Sequence, residues 1–455
     1  MAQLRETINR LEKQVSHLRA DTKELNAQME DLSGKLHAKE ATIQDLRSTL
    51  QDRDSSIADL ENTVAENKAT ILDLEAKLRE GERMRKVLHN TVLELKGNIR
   101  VFCRVRPLLG EELAGVPGDD PDPQHIVFAF NCISFIELFF PLQSILSQTI
   151  RGPLGKGKYS FHFDQVFSPS STQSVVFEEI SQLVQSALDG YQVAIFAYGQ
   201  TGSGKTFTME GVQEDLEQRG MIPRSVEQVF ASAEHLRQDG WKYELQVSFL
   251  EIYNEKIRDL LTNSKDQEVK HELKMVSPNS PEVMVTNLTY VKVNSPQQVF
   301  GLLKKASTNR AVAETKMNEH SSRSHSVFRL HLKGFNSVTH EKSAGCLNMI
   351  DLAGSERLKE SKSEGERLKE TKNINSSLAN LGNVIMALAN KDQHVPYRNS
   401  KLTHLLSNSL GGSSKVLMLL NLNPREECFS ETLNSLRFAT KVNNCNIGTA
   451  QKKTK

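Results

Sequence analysis

The chain has 455 residues, more than one ordinary core encloses, so at least two regions are expected. A net charge of +1, with 25% charged and 38% apolar residues, is ordinary for a chain that lives in water and gives no overall pull toward nucleic acid or membrane; a polyanionic partner has to be met by a local basic patch. The five cysteines (Cys103, Cys132, Cys346, Cys428 and Cys445) are scattered without metal-type pairing and read as free thiols of a reducing compartment, and the opening Met1–Lys13 lacks the apolar run of a secretory leader.

Residues 1–96 contain no proline and only Gly34 and Gly81 as glycines. Apolar residues recur at alternating steps of three and four. One row holds Ile8, Val15, Met29, Leu36, Ile43, Leu50, Ile57, Val64, Ile71, Leu78 and Val92. The other holds Leu4, Leu11, Leu18, Leu25, Leu32, Leu46, Leu60, Leu74, Leu88 and Leu95. The register never slips, and 21 of 27 seam positions are apolar. This is the 3.5-residue repeat of a coiled coil, not the 3.6-residue stripe of a globular helix. β-Branched residues in one row and leucine in the other favour two parallel strands, which makes a second copy of the chain the expected partner. Thr22, Lys39, Arg53 and Asn67 interrupt the seam and help fix register, and Gly81 and Arg85 weaken it before the globular part. The rod would be about 140 Å long.

From Gly97 the texture changes. Short β-branched runs (Ile99–Val105, Val193–Tyr198, Leu245–Glu251, Val327–Leu332, Leu347–Asp351 and Val416–Leu422) alternate with helix-period segments such as Val175–Leu188 and Ile374–Ala389. That alternation predicts an α/β domain over 97–448 with a central, largely parallel or mixed sheet. Residues 449–455 are left as a short tail. The most apolar stretch, Ile126–Ile150, is broken by Asn131, Glu137, Pro141, Gln143 and Gln148 and makes a poor membrane span.

The strand Val193–Tyr198 runs into Gly199-Gln200-Thr201-Gly202-Ser203-Gly204-Lys205-Thr206, a G-x-x-x-x-G-K-[ST] phosphate loop. Glycines let backbone N–H groups turn inward around phosphates, Lys205 reaches the β and γ oxygens, and Thr206 offers a hydroxyl to Mg²⁺. Farther on, Asn318-Glu319-His320-Ser321-Ser322-Arg323-Ser324-His325 places hydroxyls and an arginine just before a strand, a loop able to order around a γ-phosphate and its metal. A later strand ends in Asp351-Leu352-Ala353-Gly354, whose carboxylate suits the Mg²⁺ shell and whose glycine N–H suits a γ-phosphate. Asn390-Lys391-Asp392-Gln393 lacks the final aspartate of a guanine-reading loop, which favours ATP over GTP.

These loops together resemble the kinesin motor domain over roughly Gly97–Gly448. The likeness extends to Arg104-Val105-Arg106-Pro107, Phe207-Thr208-Met209-Glu210-Gly211, Glu251-Ile252-Tyr253-Asn254-Glu255, Asp351–Arg357, His394–Thr403 and Ser409-Leu410-Gly411-Gly412. A coil entering Lys96-Gly97-Asn98-Ile99-Arg100-Val101 resembles the kinesin-14 class, whose motor is C-terminal and minus-end-directed. Ser186–Gly190 and Asn446–Ala450 are close to its mitotic, spindle-organising members. The resemblance implies an α/β P-loop NTPase with a central mixed sheet flanked by helices, a microtubule-stimulated ATPase using ATP and Mg²⁺. It implies work on cytoplasmic microtubules and the spindle, allows a nuclear pool in interphase, and involves neither nucleic acid nor membrane insertion. It further implies that Arg104, Arg106 and Pro107 line the adenine side, that Phe207 stacks near the base, and that Gly199–Thr206 hold the phosphates. Ser321 and Ser322 fall in the first switch; Asp351, Gly354 and Glu356 fall in the second. Thr206, Ser322 and Asp351 serve the metal, partly through water, and Arg323 pairs with Glu356 when ATP is bound.

The acidic track asks for basic residues on one face. Lys359, Lys362, Arg367, Lys369 and Lys372, then Lys391, Arg398 and Lys401, lie where the resemblance puts the tubulin interface. Three features depart from the pattern. His320 stands where the family carries a basic or small residue. Asn131–Gly157 is an unusually apolar insert. The basic tail that usually precedes such a coil, and that cross-links microtubules, is not part of the 455 residues. Two other readings stand beside the directed motor. One is a kinesin ATPase that binds or remodels microtubule ends without walking. The other is a coiled-coil scaffold with a dead site, which the intact Lys205, Thr206, Asp351, Gly354 and Glu356 disfavour.

Overall fold

With no proline to break it, the N-terminal repeat forms one helix, α1 (Ala2–Leu95). The computed structural model describes residues 2–113, 126–128, 135–139, 158–262, 269–276, 283–315, 321–356, 366–411 and 414–445. His320, Lys359, Lys362, most of the insert and the 449–455 tail lie outside them. The chain divides into two units, Met1–Met84 and Arg85–Lys455. In the first, the apolar seam stands open to solvent, from Leu4 (67% exposed) through Leu46 (56%) to Leu78 (61%). Among the described residues no helix is long and apolar enough to cross a membrane.

The second unit starts eleven residues inside α1, not at residue 97. The last turns of the helix belong to its packing. Leu93 is buried, His89 Nε2 lies 3.0 Å from the Gln182 carbonyl, and Asn90 Oδ1 accepts from Lys415 Nζ at 2.8 Å. These contacts span more than 90 and more than 300 residues, which is why the seam alone gives no sign of them.

After α1 come β1 (Ile99–Val105), α2 (Gly110–Leu113), β2 (Ile126–Phe128), β3 (Phe135–Phe139), β4 (Lys158–His162), β5 (Gln165–Phe167), α3 (Gln173–Leu188), β6 (Gln192–Tyr198), α4 (Lys205–Met209) and α5 (Met221–Arg237). Next are β7 (Trp241–Tyr253), β8 (Lys256–Asp259), β9 (Leu273–Met275), β10 (Val283–Val285), β11 (Val291–Val293), α6 (Pro296–Thr315), β12 (His325–Asn336) and β13 (Lys342–Asp351). The chain closes with α7 (Glu366–Ala389), α8 (Lys401–Leu405), α9 (Ser407–Leu410), β14 (Ser414–Leu422) and α10 (Phe429–Asn443). All six expected strands and both expected helices are present, most of them a few residues longer than their apolar runs.

The main sheet has the order β11-β7-β12-β13-β6-β14-β1-β5, with β8 on β7. From β13 to β5 every neighbour is parallel; β12, β7, β8 and β11 are antiparallel, so the sheet is mixed. Two cores flank it. One packs α7, α8, α9 and α10 on one face through residues such as Leu381, Leu402 and Leu436; the other packs α3, α5 and α6 through Ile180, Val226 and Val299. β6 is central, with six of its seven residues buried, which accounts for its unbroken apolar run.

The apolar insert finds a partial explanation. Phe135–Phe139 is the middle strand of a three-stranded antiparallel sheet, β2-β3-β4, and Ile136 is fully buried in the first core.

Candidate nucleotide site

β6 ends at the centre of the sheet, between β13 and β14, and its exit is where parallel α/β sheets bind ligands. The phosphate loop fills that exit. Gly199 has to be glycine, because a Cβ there would run into the Asn421 carbonyl; Gly204, at φ +89°, opens α4 in the left-handed region. The register sets Asp351 opposite Ala197, two residues before the loop, so the carboxylate and Thr206 meet: Thr206 Oγ1 donates to Asp351 Oδ2 at 2.6 Å.

Asp351 Oδ1 is buried and has no hydrogen-bond partner, so half of the carboxylate is available to a cation shell. No cluster of three or more His, Cys, Asp or Glu side chains among the described residues is placed to hold a metal ion. A hydroxyl and one carboxylate are the sparse protein set that Mg²⁺ takes beside phosphate oxygens and water, so the residues fit that ion. Lys205 is 8% exposed and its ammonium donates to the Gly199 and Gln200 carbonyls at 2.9 Å each. Burial lowers its pKa, against the pull of Asp351 and Glu356.

Two further loops close on this one. Gly354 N–H donates to the Ser322 carbonyl at 2.8 Å, joining the polar turn Ser321–Arg323 to the strand-end loop after β13. Ser355 N–H donates to Gly199 O at 3.1 Å. Glu356 is taken by the phosphate loop: Oε2 accepts from Thr201 N–H at 2.8 Å and Oε1 from Thr201 Oγ1 at 2.5 Å. The expected Glu356–Arg323 pair is therefore not what holds this carboxylate here.

On the expected base side both arginines have protein partners. Arg104 is 7% exposed, and its Nη1 donates to Gln173 Oε1 at 2.7 Å and Thr208 Oγ1 at 2.9 Å. Its guanidinium lies 5.7 Å from the Phe207 ring centroid, beside the ring expected to stack on the base. Phe207 is 41% exposed and free to stack. Arg106, next to Pro107, is tied to the Gly202 carbonyl and to Glu112. A cavity of about 240 Å³ opens beside Thr206, with Glu210 and Arg310 in its wall; burial raises the Glu210 carboxyl to about 7.

Spacing gave no hint of His325. The ring is buried at the start of β12; Nδ1 accepts from Ala353 N–H at 3.0 Å, which leaves Nε2–H to donate to Ser377 Oγ at 2.7 Å. One side chain thus joins the second-switch loop to α7. Lys369 and Lys372 lie on that same helix, while Lys391 and Arg398 are exposed beyond its end and Lys401 begins α8.

Burial, Arg310 and Lys205 all disfavour the imidazolium, and the ring titrates at about 3 instead of 6.5. Between those values the unfolded chain binds a proton that the folded chain refuses. The stability held by neutral His325 is complete above pH 6.5 and is lost as pH falls, by about 2 kcal/mol at pH 5. Urea unfolding read by the single tryptophan, Trp241, should therefore weaken from pH 7.5 to 5 by about that much more in the wild type than in His325→Gln. Equal losses would remove the assignment.

Comparison with known proteins agrees with this geometry. The kinesin motor domain model matches residues 105–445. Carboxy-terminal kinesin 2 of Xenopus laevis is 51% identical over 368 residues, covering 81% of this chain and 56% of the relative. Kinesin-like protein KIN-14D of Arabidopsis thaliana is 46% identical over 388 residues, covering 83% and 47%. The chain therefore spans about half the length of the curated relatives it matches. Among solved structures, the C-terminal motor and motor homology domain of Kar3Vik1 fused to a synthetic heterodimeric coiled coil is similar at a TM-score of 0.75 and 42% identity, covering 88% of this chain and 99% of that one. With the family model spanning three quarters of the chain and the phosphate loop, both switch loops and the sheet order all in place, the chain belongs to the kinesin motor family, in its kinesin-14 class.

Proposed function

We propose that this chain is an ATP-hydrolysing, microtubule-stimulated motor that pairs with a second copy through α1 and moves toward the minus end, in spindle organisation or minus-end transport. The observation that carries the reading is the bridge through His325. The loop that senses a terminal phosphate and the helix that bears Lys369 and Lys372 are one hydrogen bond apart on either side of that ring. A change at Gly354 or Glu356 therefore has a short path to the face that meets the acidic track. Direction and the spindle role rest on the kinesin-14 relatives. Pairing rests on the open seam, since a row of solvent-exposed leucines over some twelve heptads needs a partner to cover it.

The chemistry asks for positioning and charge stabilisation, with no covalent intermediate. Thr206 and Asp351, with Ser322 from the facing turn, would hold Mg²⁺, which supplies positive charge to the β- and γ-phosphate oxygens. Lys205 exchanges its two carbonyl acceptors for phosphate oxygens. Gly354 and Glu356 leave Ser322 and Thr201 to meet the γ-phosphate and orient the attacking water.

A gliding assay on polarity-marked microtubules tests this. Microtubules should move plus end leading, with ATP turnover raised about tenfold or more by the track. Turnover indifferent to microtubules, with equal track affinity in every nucleotide, would overturn the reading; end shortening without gliding would favour a remodelling enzyme instead.

A further inference from the structure

Arg106 has no donor left for a ligand. Its five N–H groups meet five acceptors. Nε donates to Gly202 O at 2.6 Å. Nη1 donates to Pro107 O at 2.9 Å and Glu112 Oε2 at 2.7 Å. Nη2 donates to Glu112 Oε1 at 2.7 Å and Asn423 Oδ1 at 3.2 Å. Glu112 is held in turn by Leu109 N–H at 2.8 Å, with Arg425 Nε 3.8 Å away. Asn423 adds a contact from Nδ2 to Gly202 O at 3.4 Å and accepts from Arg425 N–H at 3.1 Å. The Arg106 and Glu112 side chains are only 13% and 16% exposed, and the pair is bidentate, so it is worth more than a surface ion pair. Hydrogen bonds from Arg106, first among the causes, hold the Glu112 carboxyl at about 2 and so charged at any working pH.

Arg106 Nε and Asn423 Nδ2 both reach the Gly202 carbonyl, at the crown of the phosphate loop. Gly202 sits at φ +75°, where a glycine has the most freedom to turn. Its carbonyl and the Ser203 N–H share one peptide plane, and that N–H closes the Gln200–Ser203 turn at 3.2 Å. Holding the carbonyl therefore holds the turn that bends the loop around an anion.

From this geometry we infer that Glu112, Asn423 and Arg425 are positioning residues for ATP, acting through Arg106 to fix the crown of the loop before the nucleotide arrives. Arg106 itself spends its donors on the protein and acts as the clamp. Because Asn423 and Arg425 follow β14 directly, the clamp also ties the phosphate loop to the strand that leads into α10. The inference rests on the nucleotide-site reading above and assigns residues that reading leaves unused.

The test uses the full chain. Glu112→Ala should raise the ATP KM of microtubule-stimulated turnover about tenfold while kcat stays within about twofold. Glu112→Asp should fall between it and the wild type. Arg425→Ala, at a half-exposed position, should give a smaller rise of the same kind. Arg106→Ala combined with Glu112→Ala should be no worse than Arg106→Ala alone, since one acts through the other. Equilibrium binding of a fluorescent ATP analogue should weaken in parallel with KM. An unchanged KM and affinity in a folded Glu112→Ala, a fall in kcat alone, or additive losses in the double variant would each overturn the clamp. Should Glu112→Ala fail to fold, unchanged affinity in Arg425→Ala does the same. A wild type that binds the analogue but hydrolyses no ATP would refute the motor reading and leave the clamp to the affinity measurements.

Discussion

Glu356→Ala is expected to lower microtubule-stimulated ATP turnover by about two orders of magnitude or more, with ATP affinity changed only a few-fold. Both carboxylate oxygens are committed to Thr201, one to its N–H and one to its hydroxyl. With one bond from each oxygen to the phosphate loop, the Glu356 carboxylate is turned toward Thr201, and closing on Arg323 asks it to turn away. The two orientations compete for one side chain, and hydrolysis needs the second. Removing the side chain frees Thr201 for a phosphate, so binding survives, but nothing remains to orient water or to lock the first switch to the second. Glu356→Gln keeps one oxygen that can accept from Thr201 and loses the charge that pairs with arginine. It should bind ATP like the wild type and hydrolyse it nearly as poorly as the alanine variant. Single-turnover phosphate release, with nucleotide binding measured on the same preparations, separates the steps. Stimulated turnover left intact in either variant would rule out the exchange.

Much of this was legible in the chain because it is local. The unbroken seam follows from residues three and four apart, and the phosphate loop from eight consecutive residues after an apolar strand. What could not be read is long in sequence separation. Asn90 meets Lys415 across 325 residues, and His325 meets Ala353 and Ser377 across 28 and 52. No period or motif encodes such contacts, so the seam reads as coil to residue 96 although the last turns of α1 belong to the second unit. The arginines of Arg104-Val105-Arg106-Pro107 illustrate the same limit. Their place in the motif was evident, but whether their donors face a base or the protein depends on Gln173, Thr208, Glu112 and Asn423, which lie on other elements. Residue types that bind nucleotides are also the residue types that brace a loop, and only the acceptors distinguish the two.

Thr206→Asn carries the other large effect. Thr206 sits in the first turn of α4, and its hydroxyl donates to Asp351 at 2.6 Å, joining the phosphate loop to the end of β13. Asparagine is longer, and its amide replaces a small oxygen ligand with a group that crowds Asp351. The second carboxylate oxygen, Oδ1, already lacks a partner, so the Asp351 end of the site has nothing else to compensate. Turnover should fall by at least about a hundredfold, because charge on the transferring phosphoryl group goes unscreened. Track binding should be affected in the opposite direction. A head that cannot complete the γ-phosphate and Mg²⁺ shell cannot draw the loop at Gly354 into its ATP-bound form, so the path through His325 to α7 stays in one setting. The variant should therefore co-sediment with microtubules equally well with ATP, with a non-hydrolysable analogue, or without nucleotide, while the wild type responds to each. A variant that still releases from microtubules on ATP addition would detach the metal site from track affinity, and Asp351→Asn, which keeps the shape and loses the charge, would then show whether the carboxylate or the hydroxyl had been misassigned.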